Sequence, residues 1–266
     1  MAILNCDLFS KARAGTLPFT AILPVDPPPT GPTTPQPYTR GPWPTIYLLH
    51  GYTGSHVDWL YHSGINEWAM ERGYAVIMPY GANYFYLDND DTGERYGEYV
   101  GEELVDVTRR MFPPSTRRED TVVAGMSMGG YGAVRTGLRY ADTFGAIFGL
   151  SAAMITDEVA AMTPEGGGNA IAPYSYYRHV FGDPAKVLGS DKDPKYLARE
   201  RLRQGNAPRL FLACGSEDFL YKANLDYHNY LTGIGYPHEW WVRPGVHDFA
   251  FWNQAVPAGM DWLKQP

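Results

Sequence analysis

Cysteine is almost missing from this chain: its 266 residues include only Cys6 and Cys214, too few for a disulfide framework. Cys214 ends an apolar run and reads as a small core residue. Positive charge is scarce too, with 22 lysines and arginines against 29 acids and a net charge of -7. That balance excludes the basic face a nucleic-acid binder needs. No uninterrupted apolar segment reaches transmembrane length, and no cluster of lysines or arginines suits a membrane surface. Residues 1–7 lack the basic-then-apolar pattern of a signal peptide, so a cytoplasmic protein is expected. No His-Glu-x-x-His or comparable ligand cluster occurs, and neither metal nor cofactor is expected. What the chain holds in quantity is apolar residues, 44%, and aromatics, 14%, ample for a sizeable core. At this length one large domain or two small ones could form, and no linker separates two halves.

From about residue 45 onward, strand-like and helix-like segments alternate. Ile46–Leu49 is a short continuous apolar run, as in a strand buried on both faces. Residues 65–72 read as a helix closed by Gly73, 74–78 as a strand, and 98–111 as a helix stopped by Pro113-Pro114. Strands are expected at 121–124, 146–150, 210–214 and 239–242, with helices at 130–140, near 224–231 and near 250–263. This order predicts a mostly parallel sheet covered by helices on both faces. Residues 3–10 and 16–23 suit an N-terminal hairpin. Residues 24–44 hold nine prolines and read as a surface connection. Residues 154–207 form a long interval between strands, placed where an insertion within one domain would wall a substrate pocket.

Residues 121–132, Thr-Val-Val-Ala-Gly-Met-Ser-Met-Gly-Gly-Tyr-Gly, carry the most chemistry. A β-branched run leads to Gly125, Ser127 follows between glycines, and helix-compatible residues come next. This is the pattern of a nucleophile elbow, a sharp strand-to-helix turn that exposes one serine hydroxyl. Gly125 and Gly129 remove side chains that would collide with the turn, and Gly130 lets the helix approach the sheet. Serine is a weak nucleophile without a base and an orienting acid. Of the seven histidines, His247 lies on a late loop, after a Pro244-Gly245 turn and before the last helix. Asp218 follows the strand 210–214, with Glu217 the neighbouring alternative; Asp248 reads as a local group. The order Ser127, Asp218, His247 gives nucleophile, acid and base. Backbone N–H groups of Met128 and Tyr52 are the expected oxyanion donors, the latter on the loop after His50-Gly51, where His50 orients the backbone. Trp59, Tyr84, Phe85, Tyr86, Tyr176 and Tyr177 are candidates to line a pocket, because flat apolar walls suit short acyl or phenolic groups.

Tyr47-Leu48-Leu49-His50-Gly51, the elbow Gly125–Gly132, Cys214–Leu220 and Gly245–Phe249 together resemble the esterase D-like α/β-hydrolase family. The likeness is greatest to its tributyrin, acetyl and cinnamoyl or feruloyl esterases and covers most of the chain. It implies a cofactor-free cytoplasmic serine carboxylesterase acting on a small-molecule ester with a short acyl or small aromatic acid. It implies the same triad and the same two oxyanion donors. S-formylglutathione hydrolase or an acyltransferase of the same fold is the alternative, and self-association is left open. A binding protein that kept the fold without turnover would show a degenerate triad, whereas all three positions are filled here. The aromatic and acidic segment 83–91 and the length of the Pro-rich stretch depart from the family's compact members, and such loops shape the pocket.

Overall fold

The computed structural model describes residues 1–25, 41–89 and 91–265, so most of the Pro-rich stretch lies outside the described residues. The strands are β1 (Ala2–Ser10), β2 (Gly15–Leu23), β3 (Thr45–Leu49), β4 (Ala75–Pro79), β5 (Asp88–Asn89), β6 (Glu94–Arg95), β7 (Thr121–Met126), β8 (Ala146–Leu150), β9 (Arg209–Gly215) and β10 (His238–Arg243). The helices are α1 (Asp58–His62), α2 (Ile65–Arg72), α3 (Tyr96–Glu98), α4 (Leu104–Met111), α5 (Met128–Arg139), α6 (Thr156–Ala160), α7 (Tyr174–Phe181), α8 (Pro194–Gln204), α9 (Tyr221–Gly233) and α10 (Phe249–Trp262).

Eight strands form one sheet in the order β1-β2-β4-β3-β7-β8-β9-β10. From β4 to β10 every neighbouring pair is parallel, and the N-terminal hairpin β1–β2 adds antiparallel strands at one edge. Alternation along each strand divides the core. Tyr47, Leu49, Val123 and Ile147 face α5, α8 and α9, whereas Ile46, Leu48, Val122 and Phe148 face α1, α2 and α10. Both faces of β3 and β7 are therefore buried, which is why their sequences are continuous apolar runs. This is the α/β-hydrolase architecture expected from the sequence.

Boundaries shift where a cap or a twist overrides the pattern. Gly73 closes α2 in the left-handed conformation at φ 72, its N–H returning to the Ala69 carbonyl. The helix expected from residue 98 already begins at Tyr96 and passes through a π-helical turn, Tyr99–Glu103, before α4. Helix α5 starts two residues earlier than expected, because Ser127 is itself the helix N-cap. The interval 154–207 contains α6, α7 and α8. Helix α8 opens on Asp193, whose carboxylate accepts from the Lys195 N–H, with Pro194 in the first turn.

Candidate active site

Because β3, β7, β9 and β10 run parallel, the segments that follow them emerge at one edge of the sheet. The elbow after β7 holds Ser127 at φ 57 and ψ -120, a region costly for any residue with a Cβ. Three backbone bonds fix it there. The Ser127 N–H donates to the Leu150 carbonyl at 2.9 Å, and its carbonyl accepts from Tyr131 and Ala153 at 3.0 and 2.9 Å. The glycines are required sterically. A Cβ on Gly125 would overlap the Gly129 carbonyl, and one on Gly129 would overlap the His50 and Leu49 carbonyls. One on Gly130 would sit 2.9 Å from the Ala152 Cα.

After β9 the chain turns at Asp218, a buried carboxylate whose Oδ1 accepts from the Leu220 N–H at 2.8 Å. After β10 the Pro244-Gly245 turn brings His247 over it. His247 Nδ1 lies 3.0 and 2.9 Å from the two Asp218 oxygens, so Nδ1–H donates and Nε2 carries the lone pair. Burial pushes the Asp218 carboxyl up, but bonds from His247, the Leu220 N–H and Ser151 outweigh it and hold the group below the usual range. Glu217, the neighbouring alternative, is committed elsewhere: its carboxylate accepts from the Gly245 N–H at 2.6 Å and from Ser216 Oγ at 2.7 Å. It holds the turn that carries His247. Asp248 caps α10, accepting from the Phe251 N–H at 3.0 Å.

The loop after β3 is set by His50, which is buried. Its Nδ1–H donates to the Gly51 carbonyl at 2.7 Å and its Nε2 accepts from the Gly81 N–H at 2.9 Å. Burial lowers its pKa against the opposing pull of the Gly51 carbonyl and Asp58, the direction that favours the unprotonated Nε2 which accepts from Gly81. Gly51 packs against the serine, with room for a Cβ only 3.5 Å from that of Ser127. Met128, first residue of α5, has no intrahelical acceptor for its N–H. Among the described residues no partner engages the N–H of Tyr52, while that of Thr53 is taken by Asn83 Oδ1 at 2.7 Å.

A cavity of about 760 Å³ joins these groups, and Tyr52, Ser127, Met128 and His247 all line it. No hydrogen bond links Ser127 to His247 among the described residues, although both face this space. Of the aromatic candidates, Phe85, Tyr176 and Tyr177 line the cavity. Trp59, Tyr84 and Tyr86 do not. Trp59 is buried on the opposite face of the sheet, against Phe249 and Trp252, with its indole N–H on the Leu49 carbonyl at 3.0 Å. Tyr86 is buried and donates to the His50 carbonyl at 3.1 Å, and Tyr84 stacks on Tyr96 beside Arg13. Residues 154–158, 169–171 and 194–195 of the long interval form much of the wall.

Three supporting residues escaped the sequence reading. Asn224, buried in α9, accepts from the Ala152 N–H at 3.0 Å and donates to the Ala152 and Leu220 carbonyls at 2.8 and 2.9 Å. It ties the segment beside the elbow to the segment beside Asp218. Ser151, also buried, accepts from the Trp252 indole at 3.1 Å, and Trp252 sets its ring edge-on to His247, with centroids 5.1 Å apart. Nothing in the local sequence marks a lone buried amide or hydroxyl; only tertiary contact reveals them. Among the described residues no group of three or more His, Cys, Asp or Glu side chains is placed to hold a metal ion, and no helix is long and apolar enough to cross a membrane.

Comparison with known proteins gives the family and the fold. The Esterase family model, described as "Putative esterase", matches residues 33–263. An acetyl esterase of Caldicellulosiruptor saccharolyticus is 40% identical over 266 residues, covering 100% of this chain and 99% of that protein. FphF, a fluorophosphonate-binding serine hydrolase of Staphylococcus aureus, superposes with a TM-score of 0.84 at 30% identity, covering 98% of each chain. An S-formylglutathione hydrolase of Staphylococcus aureus, FrmB, superposes with a TM-score of 0.81, also at 30% identity over 98% of each chain. The chain therefore belongs to the esterase family, carboxylic ester hydrolases of the α/β-hydrolase fold.

Proposed function

We infer that the chain is a serine carboxylesterase of short-chain acyl or small aromatic esters, working through an acyl-enzyme. The observation that carries this reading is the clamp of His247 Nδ1 on both Asp218 oxygens, at 3.0 and 2.9 Å, beside a serine held at a strained elbow in the same cavity. With Nδ1–H committed to the carboxylate, the Nε2 lone pair is the base for the Ser127 hydroxyl. Substrate entry tightens the serine–histidine contact, as it does in many apo enzymes. Ser127 Oγ attacks the ester carbonyl carbon and its proton passes to His247. The tetrahedral oxyanion is held by the Tyr52 and Met128 N–H groups. Collapse breaks the bond to the alcohol, which leaves with the proton from His247. Water, deprotonated by the same imidazole, then attacks the acyl carbon and frees the acid and Ser127. Asp218 stays ionised throughout and stabilises the imidazolium.

Phe85, Tyr176, Tyr177 and Met154 offer apolar walls for a short acyl chain or a phenolic ring. The acetyl esterase relative supports the short acyl group. The likeness to FrmB favours a second reading, hydrolysis of an S-acyl thioester by the same steps. Hydrolysis of 4-nitrophenyl acetate and butyrate tests the assignment. Ser127→Ala is expected to remove turnover by a factor of about 10⁴ or more while the protein stays folded. Near-normal turnover by that variant would remove the mechanism.

A further inference from the structure

We propose that the cavity discriminates among esters and thioesters by the charge of the leaving group, favouring neutral and cationic over anionic ones, with Glu158 as the discriminating residue. The proposal rests on the esterase reading and specifies its substrate class.

The charged side chains lining the cavity are Asp157, Glu158, Asp226, Lys195 and Lys222, three carboxylates against two ammonium groups. Each lysine has a carboxylate beside it: Lys195 pairs with Asp157 at 2.5 Å, and Lys222 with Asp226 at 2.7 Å on the exposed rim, so the five groups together carry one net negative charge. Neither offers an uncompensated cation to an incoming carboxylate. Glu158 has no cationic partner among the described residues and accepts only a neutral bond, from Asn169 Nδ2 at 2.8 Å.

Asn169 is itself fixed, its Oδ1 accepting from the Tyr177 hydroxyl at 2.9 Å and from the Ile171 N–H at 2.9 Å. Tyr177 packs on Tyr176, and Tyr176 on Tyr52 of the loop beside Ser127, with ring centroids 5.2 and 5.7 Å apart. A chain of contacts therefore links the unpaired carboxylate to Tyr52, whose side chain lines the same cavity as Ser127. Tyrosine faces also attract cations, which adds to the same preference. The chain's net charge of -7 gives the long-range field the same sign. An anionic leaving group such as glutathione, with two carboxylates and one ammonium, meets net repulsion where it passes Glu158.

Matched S-acetyl thioesters of thiocholine, 3,3-dimethylbutanethiol and 3-mercaptopropionate present a cation, a neutral group and an anion on one acyl chain. Their kcat/KM values are compared for the native chain, Glu158→Gln and Glu158→Lys, so that intrinsic reactivity cancels between proteins. The cation-to-anion ratio is expected to fall about threefold to tenfold in Glu158→Gln, further in Glu158→Lys, and chiefly through KM. In the native chain 1 M NaCl should shrink the ratio, since screening then acts within about 3 Å. A ratio unmoved in Glu158→Lys, or an anionic substrate preferred by the native chain, overturns the proposal. Ser127-dependent hydrolysis of the neutral thioester tests the esterase reading separately, and its absence removes both.

Discussion

Ser127 stands in backbone geometry that any Cβ makes costly, and its surroundings are arranged to hold it there. The strain predicts an ordering between two inactive variants. Ser127→Gly should be more stable than Ser127→Ala by roughly 1–2 kcal/mol, because glycine alone adopts φ 57 without penalty. Equal denaturation midpoints would remove the strain argument. Asp218 makes a second residue-scale prediction. Its carboxyl is held below the usual range, so its contribution to stability is full above about pH 4 and is lost as pH falls through the folded value. Asp218→Asn cannot hold the imidazole in the same tautomer and should lower kcat by about 10³–10⁴ with little change in KM. A kcat within tenfold of native would make the carboxylate dispensable.

At the scale of elements, what the sequence disclosed follows from what is local. The elbow, the strands around it and the Gly73 cap are read from contiguous residues whose conformation depends on their own neighbours. Ser127, Asp218 and His247 were legible as candidates because each follows a parallel strand, buried before Ser127 and Asp218 and at the sheet edge before His247, and strand direction fixes which loops share an edge. The pocket was less so. Trp59 and Tyr86 occur close to pocket loops in sequence, but the inward face of α1 turns Trp59 into the core, and a turn with Tyr86 at φ 55 packs its ring against His50. Asn224 was invisible for the converse reason, since its partners Ala152 and Leu220 meet it only through packing. Asn224→Ala leaves the buried Ala152 N–H without its acceptor and should destabilise the fold by about 2–3 kcal/mol. It should also lower kcat, because it uncouples the segment beside the elbow from the Asp218 turn. Chemical denaturation and ester turnover check the two effects independently; an unchanged midpoint would contradict the clamp.

Across the whole molecule, several imidazoles bind protons less readily once the chain is folded. Burial lowers the pKa of His50, His56 and His228, with His238 adding to the effect at His228. The unfolded chain then binds more protons than the native one below about pH 6.5, so stability should fall as pH drops from 7.5 to 5.5. Denaturation at the two pH values measures this, and equal midpoints would contradict it. The central claim, however, is that three loops from parallel strands converge to make one serine reactive. Its most direct test is labelling with a fluorophosphonate, read by intact mass and peptide mapping. The account predicts one adduct per chain, on Ser127, and sharply slowed labelling in His247→Ala. An adduct on another residue, or equal labelling of the native chain and His247→Ala, would contradict it.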